Sequence, residues 1–229
     1  MRVTVLALLE QLSRGVTFPG PIYEFGSFRV PGQRHLPPVR SFFEGHEFHG
    51  CDLQPGDGVD EVRDLHDLGL PDDSIGTALL FDTIEHVRVP WRALAEVRRC
   101  LAPGGLVVMT SHWYFPIHAY PDDYWRFTAS GFRSLFEGLE PVAVTMCGLA
   151  RLPHTVLGIA SKGPLRDPGA AAEIGRIVAE WSRTGAHSWK EAALEFLPPR
   201  LLIPAYDGFL RLQAYVDRMR GIDGPGRPE

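Results

Sequence analysis

The sequence lacks the features that would assign it to a membrane or a nucleic acid. None of its 229 residues belongs to a run of the ~18 apolar residues that a membrane-spanning helix needs. Its 23 Lys and Arg residues form no basic stripe and face 28 Asp and Glu residues, which gives a formal net charge of -5. Nucleic-acid binding relies on clustered positive charge, so neither a nucleic-acid partner nor a membrane is expected.

Cysteine is scarce as well, and the common phosphate-binding loops are missing. Cys51, Cys100 and Cys147 lie far apart, without the Cys/His spacing of a disulfide framework or a zinc site. We therefore expect reduced, buried thiols and no metal. The absence of a GxxxxGKS or GxxxxGKT loop disfavours an NTPase, and the absence of GxGxxG disfavours a conventional dinucleotide enzyme.

The N-terminus does not resemble a secretion signal. Met1–Leu12 is apolar but short, has only Arg2 as a basic flank, contains Glu10 and lacks a small-residue cleavage site. This pattern predicts an amphipathic helix, and the expected compartment is the cytoplasm.

Short apolar runs alternate with helical patterns over the first 162 residues. Pro90–Leu101 has proline in its first turn and glycines just past its end, which predicts a helix, and Thr128 is a candidate N-cap for a helix over Ala129–Phe136. This alternation predicts βαβ units and a mostly parallel sheet, with an antiparallel end where the last two strands follow closely. The predicted strands are Pro21–Gly26, Phe48–Leu53, Val59–Asp64, Ile75–Asp82, Leu106–Ser111, Pro141–Cys147 and Thr155–Ala160.

The pattern changes after Lys162. A Pro/Gly linker is followed by three helical stretches and a tail rich in Gly and Pro, which predicts a main domain over residues 1–165, a C-terminal helical extension over 166–220 and a disordered tail over 221–229. The helices could cover the sheet, act as a substrate lid or form a homodimer interface, and the sequence does not separate these roles. They are predicted at Ala170–Arg183, Trp189–Leu197 and Ile203–Met219.

The first three predicted strands end in residues that suit an adenosine site. In an open α/β sheet, ligands bind beyond the carboxyl ends of the strands. Gly26 lets the backbone approach a ligand closely. A carboxylate at Asp52 can accept hydrogen bonds from ribose hydroxyls, and one at Asp64 can accept from an adenine amino group.

Two stretches resemble class I S-adenosylmethionine-dependent methyltransferases. Leu79–Ser111 is similar to the fourth strand of that family, its Glu-His pair, the following helix and the Leu-x-Pro-Gly-Gly loop, and Gly50–Ser74 is similar to the ribose and adenine loops. The resemblance implies a Rossmann-like three-layer α/β sandwich with a mostly parallel seven-stranded sheet, plus a C-terminal helical appendage. It also implies S-adenosyl-L-methionine as the cofactor.

The resemblance assigns roles residue by residue. It implies ribose binding by Asp52, adenine contacts from Leu53, Asp64 and Leu65, a methionine side lined by Leu80 and Phe81, and His86 near the substrate mouth. The alternatives are a cap or solvated turn for the two aspartates, core packing for Phe81 and a brace for the helix start at Glu85-His86. The implied cofactor-binding set is Glu24, Gly26, Ser27, Asp52, Leu53, Asp64, Leu65, Leu80, Phe81 and His86.

The first loop departs from the family pattern of a carboxylate followed by three glycines at alternate positions. Glu24 and Gly26 match, but Phe28 and Val30 stand where the second and third glycines belong. A bulky side chain at this point is expected to narrow or reshape the pocket for the methionine carboxylate.

The aromatic segment His112–Phe127 resembles a stretch that lies over the acceptor side in bacterial methyltransferases. His118 or His112 could serve as a general base, and Asp123 could orient it. The alternative is a rigid flap in which Asp123 and Arg126 form a structural ion pair.

The sequence therefore predicts a methyltransferase that acts on a small-molecule or glycan-like (saccharide) acceptor. The alternative is a non-catalytic or reaction-diverged binding protein of the same fold.

Overall fold

The computed structural model describes residues 3–30, 35–118, 122–149 and 152–184, and residues 201, 204, 205, 207, 208, 211 and 212. A seven-stranded sheet with the order β3-β2-β1-β4-β5-β7-β6 forms its centre. The strands are β1 (Ile22–Phe25), β2 (Phe48–Asp52), β3 (Glu61–Val62), β4 (Ile75–Phe81), β5 (Leu101–His112), β6 (Glu140–Leu149) and β7 (Leu152–Ser161). The helices are α1 (Val3–Gly15), α2 (Pro90–Cys100), α3 (Ala129–Leu135) and α4 (Ala170–Thr184).

Strand direction confirms the mostly parallel α/β sheet. β1 to β5 pair in parallel, whereas β7 runs antiparallel to both β5 and β6. After β1 the chain builds β2 and β3 on one side and then crosses to β4 on the other. The crevice between β1 and β4 is thus the topological switch point, where open α/β sheets bind ligands.

Strand β4 shows how the sheet separates two apolar layers. All seven of its residues are buried, and they alternate between faces. Leu80 packs with helices α2 and α3, whereas Leu79 and Phe81 pack with α1 and α4. These layers make the three-layer sandwich that the sequence predicts.

Two helix starts follow the predicted chemistry. Pro90 occupies the first turn of α2, where a missing backbone N–H costs nothing. Thr128 is the N-cap of α3, and its side chain accepts a hydrogen bond from the Gly131 N–H at 3.1 Å.

Some boundaries differ from the predicted ones. β5 begins at Leu101, five residues before the predicted start, because Leu101 already pairs with Ile75 on β4 before a register shift. β3 spans only Glu61–Val62, since it pairs at the sheet edge with just the last two residues of β2.

Only part of the C-terminal extension lies within the described residues. Helix α4 packs against α1 and β6, and the indole N–H of Trp181 donates to the Thr4 carbonyl at 2.8 Å. The predicted helix Trp189–Leu197 and the tail 221–229 lie outside the described residues, as does most of Ile203–Met219. The boundary at residue 165 stays a prediction. In the part of the chain that is described, no helix is both long and apolar enough to span a bilayer.

Candidate functional site

The first loop leaves β1 by a turn that only glycine fits. Gly26 has a φ of +87°, and a Cβ there would lie 2.2 Å from Thr83 Oγ1. The amides of Gly26 and Ser27 both donate to the Cys51 carbonyl, at 2.8 and 3.0 Å. The loop therefore bends from β1 over the end of β2.

Phe28 occupies the space beside the loop that follows β2. Its ring lies where a Cβ on Gly56 would come within 2.2 Å, and its backbone N–H donates to Asp52 Oδ2 at 3.2 Å. The large side chain at the second glycine position is thus directed toward Gly56. Asp52 Oδ1 makes no hydrogen bond to another described residue.

Two polar side chains lie beneath this loop, the buried Ser27 and the half-buried Glu24. The Ser27 hydroxyl is buried and has no hydrogen-bond partner among the described residues. Burial raises the pKa of Glu24 to about 8, although the positive charge of Arg40 acts against this shift. Buried polar groups in native proteins are normally paired, so both suit a ligand with polar atoms at this point.

The adenine-side residues divide into exposed and buried groups. Leu53, just after β2, is 57% exposed and offers an apolar surface beside Asp52. Leu65 is buried in the core, so only its backbone can reach a ligand. Asp64 accepts from the backbone N–H and the Nδ1 of His66, at 2.8 and 2.7 Å, which is the turn-cap arrangement.

The side chains at the end of β4 are buried, so this strand end exposes mainly its backbone and the turn that follows it. Leu80 and Phe81 are buried on opposite faces of the sheet, which is the core-packing alternative. The next residue, Asp82, has a φ of +49°, an uncommon value for a non-glycine residue, and Thr110 Oγ1 donates to its carboxylate at 2.9 Å. Such strained backbone often lies at functional sites.

A second group of polar side chains lies beyond the ends of β4 and β5. Glu85, in the 3-10 turn Ile84–His86, is fully buried and accepts from the Ser111 hydroxyl at 2.8 Å. Its other oxygen, Oε1, lies 3.4 Å from Nε2 of His112, which is 4% exposed. The ring of His112 stacks on Phe115 with centroids 4.2 Å apart.

His118 completes this group from the aromatic segment. The centroid of its ring lies 5.2 Å from the ring centroid of His112 and 4.8 Å from that of His86. Burial lowers the pKa of His118, and the nearby charge of His86 lowers it further, so the ring is neutral at pH 7. Nδ1 of His118 is 3.2 Å from both the Pro116 carbonyl and Asp123 Oδ2, which leaves Nε2 for other partners.

Asp123 holds His118 and Arg126 together. It accepts the His118 backbone N–H at 2.9 Å and binds Arg126 through both oxygens, with an Nη2–Oδ2 distance of 2.7 Å. Burial acts to raise the pKa of Asp123, but the hydrogen bonds from Arg126 and His118 outweigh it and lower the pKa to about 2. Asp123 is thus ionised beside His118, and the ion pair of the alternative interpretation is present.

Backbone hydrogen bonds tie the segment Asp122–Phe127 to the strand ends. Tyr124 N–H donates to the Glu85 carbonyl at 2.9 Å, and Phe127 N–H donates to the His112 carbonyl at 3.2 Å. His86 Nδ1 meets the Asp122 carbonyl, so His86 lies in the histidine group. The structure thus brings His112, His118, Asp123 and His86 together at one edge and Glu24, Gly26, Ser27 and Asp52 at the adjoining one.

Sequence reasoning missed the buried role of Glu85. The resemblance implies that His86 lies near the substrate mouth, with a brace for the helix start at Glu85-His86 as the alternative, and it predicts no contact between Glu85 and Ser111. A carboxylate directly before a histidine, in a loop leaving a fully apolar strand, was the available signal.

Comparison with known proteins agrees with this arrangement. Residues 48–109 match the family described as methyltransferase domain. A stretch of 63 residues is 44% identical to an uncharacterized 37.1 kDa protein in transposon TN4556 of Streptomyces fradiae, covering 27% of this chain and 18% of that protein. The chain thus spans about a fifth of that relative's length.

Solved structures show the same fold at low identity. The 1,6-didemethyltoxoflavin-N1-methyltransferase of Burkholderia thailandensis, solved with 1,6-didemethyltoxoflavin and S-adenosylhomocysteine, has a TM-score of 0.55 at 17% identity, over 71% of this chain and 79% of that chain. An S-adenosylmethionine-dependent methyltransferase of Mesorhizobium loti scores 0.51 at 19% identity, over 68% and 97%. The 4+2 cyclase SpnF scores 0.52 at 15% identity, over 70% and 81%.

The sheet order, the antiparallel β7 and the residues at the β1/β4 switch point define the class. The chain has the fold of the class I S-adenosylmethionine-dependent methyltransferases. Residues 48–109, about a quarter of the chain, are similar to the methyltransferase domain family.

Proposed function

We propose that this protein is an S-adenosyl-L-methionine-dependent methyltransferase that acts on a small-molecule or saccharide acceptor. The observation that carries the proposal is the continuity of two polar groups along one sheet edge: a cofactor side at the ends of β1 and β2, and a histidine side beyond β4 and β5. In-line methyl transfer needs these two sides next to each other, because donor sulfur, methyl and acceptor atom must be collinear.

The cofactor side suits the adenosine and methionine parts of the ligand. Asp52 has a carboxylate oxygen available for a ribose hydroxyl, and exposed Leu53 offers a surface for adenine. The unpaired Ser27 hydroxyl can donate to the methionine carboxylate, and Glu24 can pair with the methionine ammonium after losing its proton. When bound, the cofactor supplies the methyl group as an electrophile.

The acceptor side suits removal of a proton from an oxygen acceptor. Neutral His118, oriented by Asp123 and the Pro116 carbonyl through Nδ1, would accept that proton at Nε2. His112 is held by Glu85 and would position the acceptor or share the proton. The aromatic rings of Phe115 and Trp125 would exclude water from the reacting atoms.

The second candidate is a binding protein, or an enzyme of another reaction, built on the same fold. Phe28 in place of the second glycine favours it, and a structural neighbour whose name gives it as a cyclase is compatible with it. Location in the cytoplasm and a homodimer through the C-terminal helices remain proposals.

Calorimetry with S-adenosylmethionine and S-adenosylhomocysteine tests the proposed function. We expect binding, and roughly a 10-fold or greater loss of affinity in Asp52→Ala, because a hydrogen bond to a charged group contributes about 1.5–3 kcal/mol. Asp57→Ala, in the next loop, is the matched control. Absence of binding at millimolar ligand would reject the function, whereas unchanged binding by Asp52→Ala would reject the site alone.

Turnover then separates an enzyme from a binder. With sugars, phenols and carboxylic acids as acceptors, His118→Ala should lower kcat by roughly 100-fold or more while leaving the cofactor affinity unchanged. Cofactor binding without turnover on any acceptor would favour the second candidate.

A further inference from the structure

Glu85, His112 and His118 form a three-residue donor set at the carboxyl end of the sheet. One carboxylate oxygen and one nitrogen from each imidazole lie within 4.8 Å of one another. Each side chain comes from a different place, namely the turn after β4, the end of β5 and the aromatic segment. The arrangement is therefore a product of the tertiary fold and has no sequence spacing to reveal it.

From this geometry we propose that the three side chains bind a divalent transition-metal ion, with Zn²⁺ as the first ion to test. Two imidazoles and one carboxylate are the protein ligands of several catalytic zinc sites, which keep a further position for water or substrate. Imidazole nitrogen favours zinc and its neighbours over Mg²⁺ and Ca²⁺, which prefer oxygen alone.

The distance between Glu85 Oε1 and His112 Nε2 matches that between two ligand atoms of one metal ion. Ligands about 2.0–2.1 Å from a tetrahedral zinc ion are themselves about 3.4 Å apart. Glu85 Oε1 and His112 Nε2 are likewise 3.4 Å apart. The third ligand, His118, has a side chain that is 31% exposed, so it faces the solvent from which an ion would enter.

The surroundings of the ligands match those of metal-binding side chains elsewhere. Ser111 donates to the second oxygen of Glu85, and this bond fixes the orientation of the carboxylate. The Pro116 carbonyl and Asp123 lie 3.2 Å from Nδ1 of His118, which would leave Nε2 to bind the ion. Hydrogen bonds of this kind to the remote nitrogen are nearly universal in metal-binding histidines.

The role of the ion rests on the proposed function, whereas the site itself rests on geometry alone. When bound, a metal would lower the pKa of an acceptor hydroxyl held at its open position. Metal binding and proton acceptance would use the same nitrogen of His118, so they exclude each other. Metal content therefore decides which of the two uses operates.

Metal-free protein, prepared with a chelator that is then removed, is titrated with Zn²⁺ by calorimetry, and Co²⁺ binding is followed by its visible absorption. We expect one ion per chain, the intense bands of four-coordinate Co²⁺ and a higher Tm with metal. His118→Ala and Glu85→Gln should each weaken binding at least 10-fold. His46→Ala, an exposed histidine ahead of β2, is the control and should bind like the wild type.

Substoichiometric uptake, or equal binding by His118→Ala and the wild type, would overturn the metal site. Glu85→Gln changes a fully buried group, so its fold is checked by circular dichroism, and His118→Ala decides the outcome if that variant is unfolded. Calorimetry of S-adenosylhomocysteine with metal-free protein separates the two proposals. Cofactor binding without metal uptake rejects the site only, and metal uptake without cofactor binding rejects the proposed function only.

Discussion

Glu24 makes the free energy of unfolding of this protein depend on pH, and the dependence follows from its pKa in the folded and unfolded states. Burial raises the pKa of Glu24 from 4.5 to about 8 in the folded state. Between these values the folded chain keeps a proton that the unfolded chain has released. Unfolding is therefore increasingly favoured as the pH rises from about 4.5 to 8, and the effect is complete above pH 8.

The size of the effect follows from the shift. Each pKa unit corresponds to about 1.4 kcal/mol, so the full shift sets an upper limit of about 5 kcal/mol. Glu24 is half-buried by surface accessibility, and Arg40 opposes the shift, so we expect about 2 kcal/mol. For a chain of this size, that amounts to a Tm change of roughly 4–8 °C.

The neutral isostere Glu24→Gln removes the titration. At pH 5 its free energy of unfolding should be close to that of the wild type, and at pH 9 it should be higher by about 2 kcal/mol. Urea unfolding from pH 5 to 9 measures this difference, with Glu44→Gln, on the exposed surface, as the control. Parallel curves for Glu24→Gln and the wild type would refute the reasoning, and so would a variant that is less stable at pH 9.

Three further substitutions test the local geometry. Gly26→Ala should destabilise the fold by about 1–3 kcal/mol, since a φ of +87° and a contact of 2.2 Å with Thr83 disfavour any side chain, and chemical denaturation measures it. Phe28→Gly restores the glycine of the family pattern and should strengthen S-adenosylhomocysteine binding by roughly 10-fold, because the ring would no longer obstruct the methionine end of the pocket. Weaker binding would mean that the ring is part of the pocket. Thr128→Ala should cost about 1 kcal/mol by loss of the N-cap of α3, and Thr128→Ser should retain most of the stability.

The sequence was sufficient for the layers and for the position of Asp52 at the end of β2. β4 is buried on both faces and is one apolar run in the sequence, and Asp52 is the last residue of β2. Both signals are local, because strand periodicity and strand ends are recognised within a few positions of the sequence.

The contacts of Glu85 could not be predicted in the same way, because its partners are remote in sequence. Ser111 donates a hydrogen bond to Glu85, which is 26 residues away in the sequence, and neither residue type by itself indicates its partner. The position of the Phe28 ring could not be predicted either. The ring fits because Gly56 has no side chain, and no pattern within the loop Glu24–Gly32 indicates this contact. Leu80 and Phe81 are buried on opposite faces of the central strand β4, and their place beside the ligand stays a prediction from the resemblance.

The bond between Trp181 and Thr4 joins residues that are 177 positions apart. The ribosome therefore releases α1 long before α4, its packing partner, exists. Until α4 emerges, Leu8 and Leu12 of α1 lack much of their final cover, although β1, β4 and β5 can already assemble. Contacts so distant in sequence form slowly because a long loop must close first. We therefore expect β1, β4 and β5 to pair before the sheet face covered by α1 and α4 becomes native, and nascent chains released before residue 184 to aggregate through α1.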